Sequence, residues 1–496
     1  MPRSISDVSA FWGKTKCLNF WKKGRTIRQV QIQGNKASAD QDYFLSLGAG
    51  HHQVPLIEAA VRKGLSVIAV DKNPLAPGFE KADLQLHASI LKPFWIYRAI
   101  EEHFPRGQIR AAGSRSFGPA VLSAAYLARR FGVPGSSPHS LIRFQDKNRL
   151  KSFLAGNGIS VPERIPWKPG KDPSDVLRKR GVWIARSGKG SAKQGIEVLS
   201  SHEEKKLYLE KHAKKTPANR SLFIEKYYQG TEFISYGFVL NGRFHPLTLT
   251  EKVISDTEPM FADRRHLFPA RTSEENARSM VQTCQKIVDL CKYDNGPFFA
   301  EFLIPKRGKS PRPLLIECQP EVGGEYLADS LVPEVLDINY FDMMMDLLTE
   351  GPEQASRHLI DAGIPLDPEN LSHILSPRRS AVISYLLPTR ASIEDLRMPK
   401  SMKEDPSFVF LEPLKPRGYK MDPGNGNADR PAVFLLKDSI DHQQELIKKA
   451  DHFENQIRLI PVQEQKKGKR KRPRARRKTT GPRNLALSVS LWKPLI

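Results

Sequence analysis

The sequence has little cysteine and no long apolar stretch. Its four cysteines, at positions 17, 284, 291 and 318, form no Cys-x-x-Cys pair and no Cys/His spacing typical of zinc. We therefore expect reduced, buried thiols rather than disulfides or a metal centre. No apolar run approaches the roughly 18 to 20 residues that cross a bilayer, and no hydrophobic signal core opens the chain. These absences predict an intracellular, cytoplasmic protein without a transmembrane segment.

Acidic residues are scarce at both ends of the chain. The formal net charge is +24, but residues 1–39 hold eight basic and one acidic residue, and 466–478 hold ten basic and no acidic residues. The long stretch between them has a charge balance that is ordinary for an enzyme. The excess therefore gives no reason to expect nucleic-acid binding by the whole chain. The basic run 466–478 remains open to interpretation as a solvated tail, a polyanion tether or a localisation signal.

At 496 residues the chain is long enough for about three domains. Its first segment has the pattern of a β-α-β unit, with a buried strand at 44–50 that enters a glycine turn, a helix at 54–63 and a strand at 66–70. The lone Gly48-Ala49-Gly50 is weak evidence for a dinucleotide site, because Asp71 can simply cap the turn. Proline and glycine at 131–135 indicate a boundary.

A second segment combines a helix, a strand and a glycine-rich basic loop. We expect the helix at 147–157 and the strand at 182–185, which leads into Arg186-Ser187-Gly188-Lys189-Gly190-Ser191-Ala192-Lys193-Gln194-Gly195. Backbone N–H groups of such a loop can cradle phosphate. A solvated hairpin tip is the alternative interpretation.

Acidic side chains recur at the ends of apolar strands. Glu225 follows a buried strand and leads into Gly230-Thr231-Glu232, a pattern that suits an adenosine clamp. The apolar strands 298–304 and 314–319 carry Glu301, Glu317 and Gln319. A hairpin would place these two carboxylates and the amide side by side, where their oxygens suit Mg²⁺ bound to nucleotide phosphates. A third domain is expected from the strand at 381–387 to the strand at 457–462.

Taken in order, these segments resemble the ATP-grasp superfamily, nearest in layout to its carboxylate-amine ligase and biotin-carboxylase-like branches, over roughly residues 43–462. The resemblance implies an α/β fold with an N-terminal Rossmann-like pre-ATP-grasp domain, a two-lobed α+β ATP-grasp domain and a small α+β C-terminal domain. We expect these at 40–140, 141–355 and 375–463, between a basic N-terminal extension (1–39) and a basic disordered tail (464–496).

The resemblance also implies roles for particular residues. The expected ATP-binding residues are Lys147 and Arg186 at the phosphates, Ser191 and Gln194 in the glycine-rich loop, Glu225, Lys226 and Tyr228 at the adenine edge, and Glu232 at the ribose. The expected metal ligands are Glu301, Glu317 and Gln319. Arg264 and Arg265, on a loop at 261–270 before a large helix, are the candidates to stabilise charge during phosphoryl transfer, and Glu321 is the third catalytic candidate.

Three of these positions depart from the family pattern. Arginine stands at 186 where the family usually has lysine, and Gln319 replaces an asparagine, which shifts the amide oxygen by roughly one bond length. Glu321 occupies a position where the family commonly has an arginine that touches substrate carboxylate or phosphate. An acid there would repel an anionic substrate. Either the substrate is cationic near Glu321, or its carboxylate is recognised elsewhere, or catalysis has been lost.

The leading functional expectation is an ATP-dependent carboxylate-amine ligase with an acyl-phosphate intermediate, with ATP and Mg²⁺ (or Mn²⁺) as cofactors. A nucleotide-binding protein without ligase activity is the first alternative. A nucleic-acid or polyanion-binding protein that works through 466–478 is the second. Expected partners are a small carboxylate and a small amine, and a homodimer is one assembly that the sequence leaves open.

Overall fold

The computed structural model describes residues 32–34, 41–104, 107–186, 196–213, 222–255, 261–306, 312–324 and 326–461. Ser191, Gln194 and the basic run 466–478 lie outside these ranges, so their predicted roles stay predictions. Within the described ranges, no helix combines the length and apolar character that crossing a bilayer requires.

The N-terminal domain is built on a mainly parallel sheet with strand order β1-β4-β3-β2-β5. Strands β2 to β5 run parallel and β1 pairs antiparallel with β4. The bounds are β1 Ile32–Gly34, β2 Tyr43–Leu47, β3 Ser66–Asp71, β4 Leu84–His87, β5 Ile109–Gly113, α1 Val54–Arg62, α2 Pro93–His103 and α3 Pro119–Phe131. The strands read as near-continuous apolar runs because helices cover both faces. Strand β1 falls inside the predicted extension 1–39.

This domain confirms the predicted β-α-β unit. Asp71 does cap the turn, since its carboxylate accepts hydrogen bonds from the N–H groups of Ala49 (3.0 Å) and Asn73 (2.9 Å). Gly48 has φ +114°, a conformation that L side chains rarely adopt. The glycine turn therefore has a structural explanation that needs no dinucleotide.

A small lobe follows, with an antiparallel sheet in the order β6-β9-β7-β8. Its elements are α4 Pro138–Ile142, α5 Lys147–Gly156, β6 Arg164–Trp167, α6 Ser174–Leu177, β7 Trp183–Arg186, β8 Ile196–Leu199, α7 His202–Ala213 and β9 Leu222–Lys226. Trp183, Ile224 and Tyr208 are among the residues that fill its core. Helix α5 confirms the predicted helix, and Asp146 caps it by accepting hydrogen bonds from the N–H groups of Asn148 and Arg149.

The largest sheet is antiparallel, in the order β14-β13-β10-β11-β12-β15-β18-β17. Its strands are β10 Gly230–Leu240, β11 Arg243–Ile254, β12 Asp263–Phe268, β13 Gly296–Pro305, β14 Leu314–Gln319, β15 Arg379–Tyr385, β17 Phe408–Pro413 and β18 Ala432–Ser439. The short β16 Ile393–Arg397 pairs with β19 Arg458–Pro461. The large sheet therefore continues from the predicted ATP-grasp domain into the predicted C-terminal domain without a break.

Helices cover this sheet and join it to the N-terminal domain. Helix α8 Glu274–Cys291 packs on one face, and the far end of that face is covered by α14 Gln443–Gln456. The other face shares a core with α1 and α10. The remaining helices are α9 Val332–Leu336, α10 Tyr340–Thr349, α11 Pro352–Asp361, α12 Ser372–Leu375 and α13 Lys400–Lys403.

Two sequence expectations have clear outcomes here. The prediction of a loop at 261–270 is wrong over most of its length. Asp263–Phe268 forms β12, which pairs with β11 on one side and with β15 on the other. The reduced-thiol prediction is confirmed for Cys284, Cys291 and Cys318, which are free and buried. Burial raises the pKa of Cys284 and Cys291 to about 12, so these thiols are poor nucleophiles. Cys17 lies outside the described residues.

Candidate active site

Two carboxylates and an amide line one end of the β13–β14 hairpin. Glu301 lies directly opposite Glu317, and Phe299 lies opposite Gln319. Because side chains two residues apart on a strand share a face, Glu317 and Gln319 project to the same side as Glu301. The predicted side-by-side arrangement of these three residues is confirmed.

Lys147 connects helix α5 to this hairpin. It is the first residue of α5, and its Nζ lies 2.5 Å from Glu317 Oε1. The Gln319 amide, as its nitrogen and oxygen are assigned, donates from Nε2 to the same Glu317 oxygen at 3.3 Å. The predicted phosphate-contacting lysine and the predicted metal ligands therefore lie in contact.

Lys252 on β11 is a central residue that the sequence analysis missed. Its side chain is 1% exposed, and its Nζ lies 3.1 Å from Glu301 Oε1, 3.4 Å from Asp263 Oδ1 and 3.9 Å from Glu232 Oε2. The register places Lys252 directly opposite Glu232 on β10. No local sequence signal marks Lys252, because its burial follows from the strand register, and lysine is almost never fully buried unless it is paired.

Gly230 explains how Glu232 reaches this cluster. A Cβ on Gly230 would lie 2.3 Å from the carbonyl oxygen of Ile304 on β13. Strand β10 can therefore start against β13 only if residue 230 is glycine. The close pairing then sets Glu232 opposite both Leu303 and Lys252.

Glu225 is held differently from what the resemblance implies. Lys151 Nζ lies 2.8 and 2.9 Å from the two oxygens of its carboxylate, and Arg164 Nε lies 2.9 Å from Oε1. All three side chains are nearly buried. The carboxylate that was expected to read an adenine edge is therefore part of a buried ion cluster that joins α5 to the small-lobe sheet.

The segment after Glu225 is also hydrogen-bonded within the small lobe. The N–H of Lys226 donates to Glu163 O, and the N–H of Tyr227 donates to Val182 O, both at 2.9 Å. Recognition of a base edge stays a prediction, and it now applies to the carbonyl groups of this segment and to Tyr228.

Arg264 and Arg265 lie against helix α14, so their expected position is corrected. Arg264 Nε lies 2.9 Å from Glu454 Oε1, and Arg265 contacts both Glu454 and Asp451, the latter at 2.7 Å. Strand β12 turns Arg265 to the face that α14 covers, whereas Lys252 projects from the other face. Both guanidinium groups are thus neutralised by α14, away from the hairpin carboxylates.

Arg186 and Glu321 are the remaining predicted residues. The structure describes only the backbone of Arg186, and Glu321 contacts a residue that is distant in sequence. Arg186 ends β7 opposite Ile196, and its side chain lies outside the described part of the structure. Glu321 follows β14 and its Oε2 accepts a hydrogen bond from the N–H of Gly118 at 3.2 Å, just before α3. Burial raises the pKa of Glu321 to about 7. Glu321 therefore joins the candidate site to the N-terminal domain.

This donor set suits a cation that brings its own additional ligands. Among the described residues, no group of three histidine, cysteine, aspartate or glutamate side chains could hold a metal ion by itself. Glu301 and Glu317 supply two carboxylates, and Lys252 and Lys147 supply two ammonium groups beside them. Mg²⁺ is commonly bound through one or two carboxylates together with substrate phosphates, which lysine also binds.

Comparisons with known proteins agree with this geometry. Residues 181–329 match the family model described as ATP-grasp domain. The structure is similar to an L-amino acid ligase from Bacillus licheniformis (TM-score 0.65, 17% identity, 86% of this chain and 100% of that one). It is also similar to a phosphoribosylglycinamide synthetase from Anaerococcus prevotii (0.62, 16%, 85% and 100%) and an N5-carboxyaminoimidazole ribonucleotide synthetase from Thermotoga maritima (0.57, 18%, 85% and 100%).

These likenesses are at the level of fold, because every identity is low. No curated protein matches the chain by sequence. The predicted resemblance to the ATP-grasp superfamily is confirmed, and so is the fold class: a parallel-sheet N-terminal domain precedes a two-lobed ATP-grasp domain.

Proposed function

We propose that this chain is an ATP-dependent ligase that joins a carboxylate to an amine. The observation that carries the proposal is the hairpin pair Glu301–Glu317 with Lys252 on one carboxylate and Lys147 on the other. The similar structures, those of an amino acid ligase and two synthetases, support the same reaction class.

The proposed reaction has two steps. A substrate carboxylate oxygen attacks the γ-phosphorus of ATP, the bond from that phosphorus to ADP breaks, and an acyl phosphate forms. The amine nitrogen then attacks the acyl carbon, the carbon–oxygen bond to phosphate breaks, and the nitrogen loses a proton. The products are the amide, ADP and phosphate.

The side chains contribute positioning and charge. Lys147 and Lys252 would bind phosphate oxygens once their carboxylate partners bind metal, which would lower the cost of the charge that develops during transfer. Glu301 and Glu317, with Gln319, would hold Mg²⁺ or Mn²⁺, which supplies charge neutralisation of the phosphates. Arg264 and Arg265 have no part in this proposal because α14 holds them.

The test is ADP release by the full chain with Mg²⁺-ATP against pooled carboxylic acids and pooled amines. The proposal predicts release that requires one pool of each kind and that disappears when the metal is chelated. The Glu317→Gln variant serves as the negative control. Release of ADP that is the same with and without both pools would contradict ligation.

A nucleotide-binding protein without ligase activity is a second candidate. It is favoured by Gln319, where the family usually has asparagine, and by Glu321, where the family commonly has arginine. ATP would then raise the melting temperature while no combination of pools released ADP.

A further inference from the structure

The carboxyl edge of the N-terminal sheet is a candidate ligand crevice. The strand order reverses between β2 and β5, and in such sheets ligands bind outside the carboxyl ends of the strands at this switch point. Gln53 links the loops that follow β2 and β5, because its Oε1 accepts a hydrogen bond from the N–H of Arg115 (2.9 Å) and its Nε2 donates one to Ser116 Oγ (3.1 Å). These two loops are therefore held together beside the switch point.

This crevice adjoins the candidate active site. The loop that leaves β14 after Gln319 meets Gly118 through Glu321 and then reaches Tyr326, whose ring lies 5.9 Å from that of Phe410 on β17. Gln145, two residues before Lys147, donates to the carbonyl oxygen of Gly118 at 3.3 Å. The same short segments thus border both the hairpin carboxylates and the crevice.

Arg115, which follows β5, brings a permanently charged guanidinium group to this crevice. Its side chain is 3% exposed, it forms a two-pronged ion pair with Asp329, and it donates to the carbonyl oxygen of His52 at 3.0 Å. Its guanidinium group also lies over the ring of Phe341, 5.0 Å from the centroid. Arg115 is thus committed to structure and is poorly placed to bind a phosphate group.

Glu412 of β17 offers an accessible negative charge on the opposite wall. Its side chain is 38% exposed and lies 3.6 Å from Nε2 of His51, which is 74% exposed. The neighbouring Glu412 carboxylate raises the pKa of His51, whereas burial lowers the pKa of His52. Tyr326 also hydrogen-bonds to Glu412. Glu412 therefore lies within reach of a small ligand, and among the contacts of the described residues the exposed His51 imidazole is its partner of opposite charge.

We propose that this crevice binds one substrate of the ligase through an ammonium group at Glu412 and rejects phosphorylated substrates. The inference rests on the proposed function and narrows its substrate class. An ammonium group takes over the charge-balancing role of the His51 imidazole and gains a charge-assisted hydrogen bond. A phosphate would meet the Glu412 carboxylate while Arg115 stays neutralised by Asp329, and like charges brought together weaken binding.

The test measures direct binding by thermal shift on the full chain, without ATP. The probes are L-alanine, L-lysine and 1,4-diaminobutane, with O-phosphoethanolamine and O-phospho-L-serine as phosphorylated counterparts. At least one unphosphorylated amine should stabilise the wild type at a concentration about tenfold lower than either phosphorylated probe, the size expected for one charge-assisted contact. Glu412→Gln should remove that preference, and Glu412→Lys should shift it towards the phosphorylated probes.

Glu404→Gln is the matched control, since Glu404 is an exposed acid of the same region that pairs only with Lys400 four residues earlier among the contacts described. It should bind like the wild type, and His51→Gln should retain binding because the ammonium replaces the imidazole. The proposal is overturned if no unphosphorylated amine binds, if the phosphorylated probes bind better, or if Glu412→Gln binds like the wild type. Because ATP is absent, failure of the ligase proposal would show separately, as lack of ADP release.

Discussion

Helix α5 carries two lysines one turn apart, and each pairs with a glutamate on a different lobe. Lys147 reaches Glu317 on the large sheet, where the two side chains are 54% and 24% exposed. Lys151 reaches Glu225 on the small-lobe sheet, where they are 11% and 8% exposed. The same two residue types on one helix therefore form one accessible ion pair and one buried ion pair.

The difference in exposure distinguishes an ion pair that can take part in binding from one that stabilises the fold. The accessible pair can exchange partners at small cost, because exposed ion pairs contribute only about 0 to 1 kcal/mol. The buried pair cannot, because breaking it leaves charges without compensation in a poorly solvated place. The sequence assigned Glu225 to the adenine edge and Glu317 to a metal ion, and of the two pairs that of Glu317 is the accessible one, as the proposed metal binding requires.

The largest expected effect comes from removing the accessible carboxylate. Glu317→Gln should lower ADP release at least about a thousandfold, because a group placed where charge develops contributes on that scale. The unfolding free energy should change by less than about 1 kcal/mol. Initial rates of ADP release and a urea titration test both statements. Near-normal ADP release by this variant would contradict the distinction between the accessible and the buried ion pair.

Glu225→Gln tests the buried pair. It leaves Lys151 and Arg164 without their shared counter-charge, and we expect a loss of about 3 to 5 kcal/mol in the stability of the small lobe. Fluorescence of the buried Trp183 during urea unfolding reports on this lobe. A stability equal to that of Glu317→Gln would show that burial does not distinguish the two carboxylates.

The variants Lys147→Met and Lys151→Met test the two ion pairs through the lysines of helix α5. Lys147→Met should raise the KM for ATP about tenfold, the equivalent of one charge-assisted contact, without loss of stability. Lys151→Met should instead destabilise the small lobe and leave KM nearly unchanged in the folded fraction. The two variants remove the same charge from the same helix, so each is the control for the other.

The contrast also shows which features could be predicted from the sequence. The hairpin of Glu301 and Glu317 was predictable because each glutamate interrupts an apolar strand and the two strands are close in sequence. The cap at Asp146 and the start of α5 are likewise local. The partners of Glu225 were not predictable, since Lys151 lies 74 residues earlier and the contact depends on how α5 packs on the small lobe.

The positions of three side chains could be predicted only with knowledge of the strand register: those of Lys252, Arg264 and Arg265. A strand side chain points to one face or the other according to pairing, and a shift by one residue reverses every assignment. The irregularity between Val253 and Ile254 breaks simple alternation against β12. The partner strand β15 begins more than a hundred residues after β12 ends. Local sequence therefore could not show that Lys252 faces the site while Arg265 faces α14.

The smallest expected effect concerns Arg264, which was predicted from sequence to be catalytic. Its guanidinium group is partly exposed and pairs with Glu454 and Asp451 on α14. Arg264→Gln should therefore leave the rate of ADP release within about twofold of the wild type and cost at most about 1 kcal/mol of stability. A loss of turnover comparable to that of Glu317→Gln, with the fold intact by circular dichroism, would return Arg264 to the reaction and would mean that α14 releases it when substrates bind.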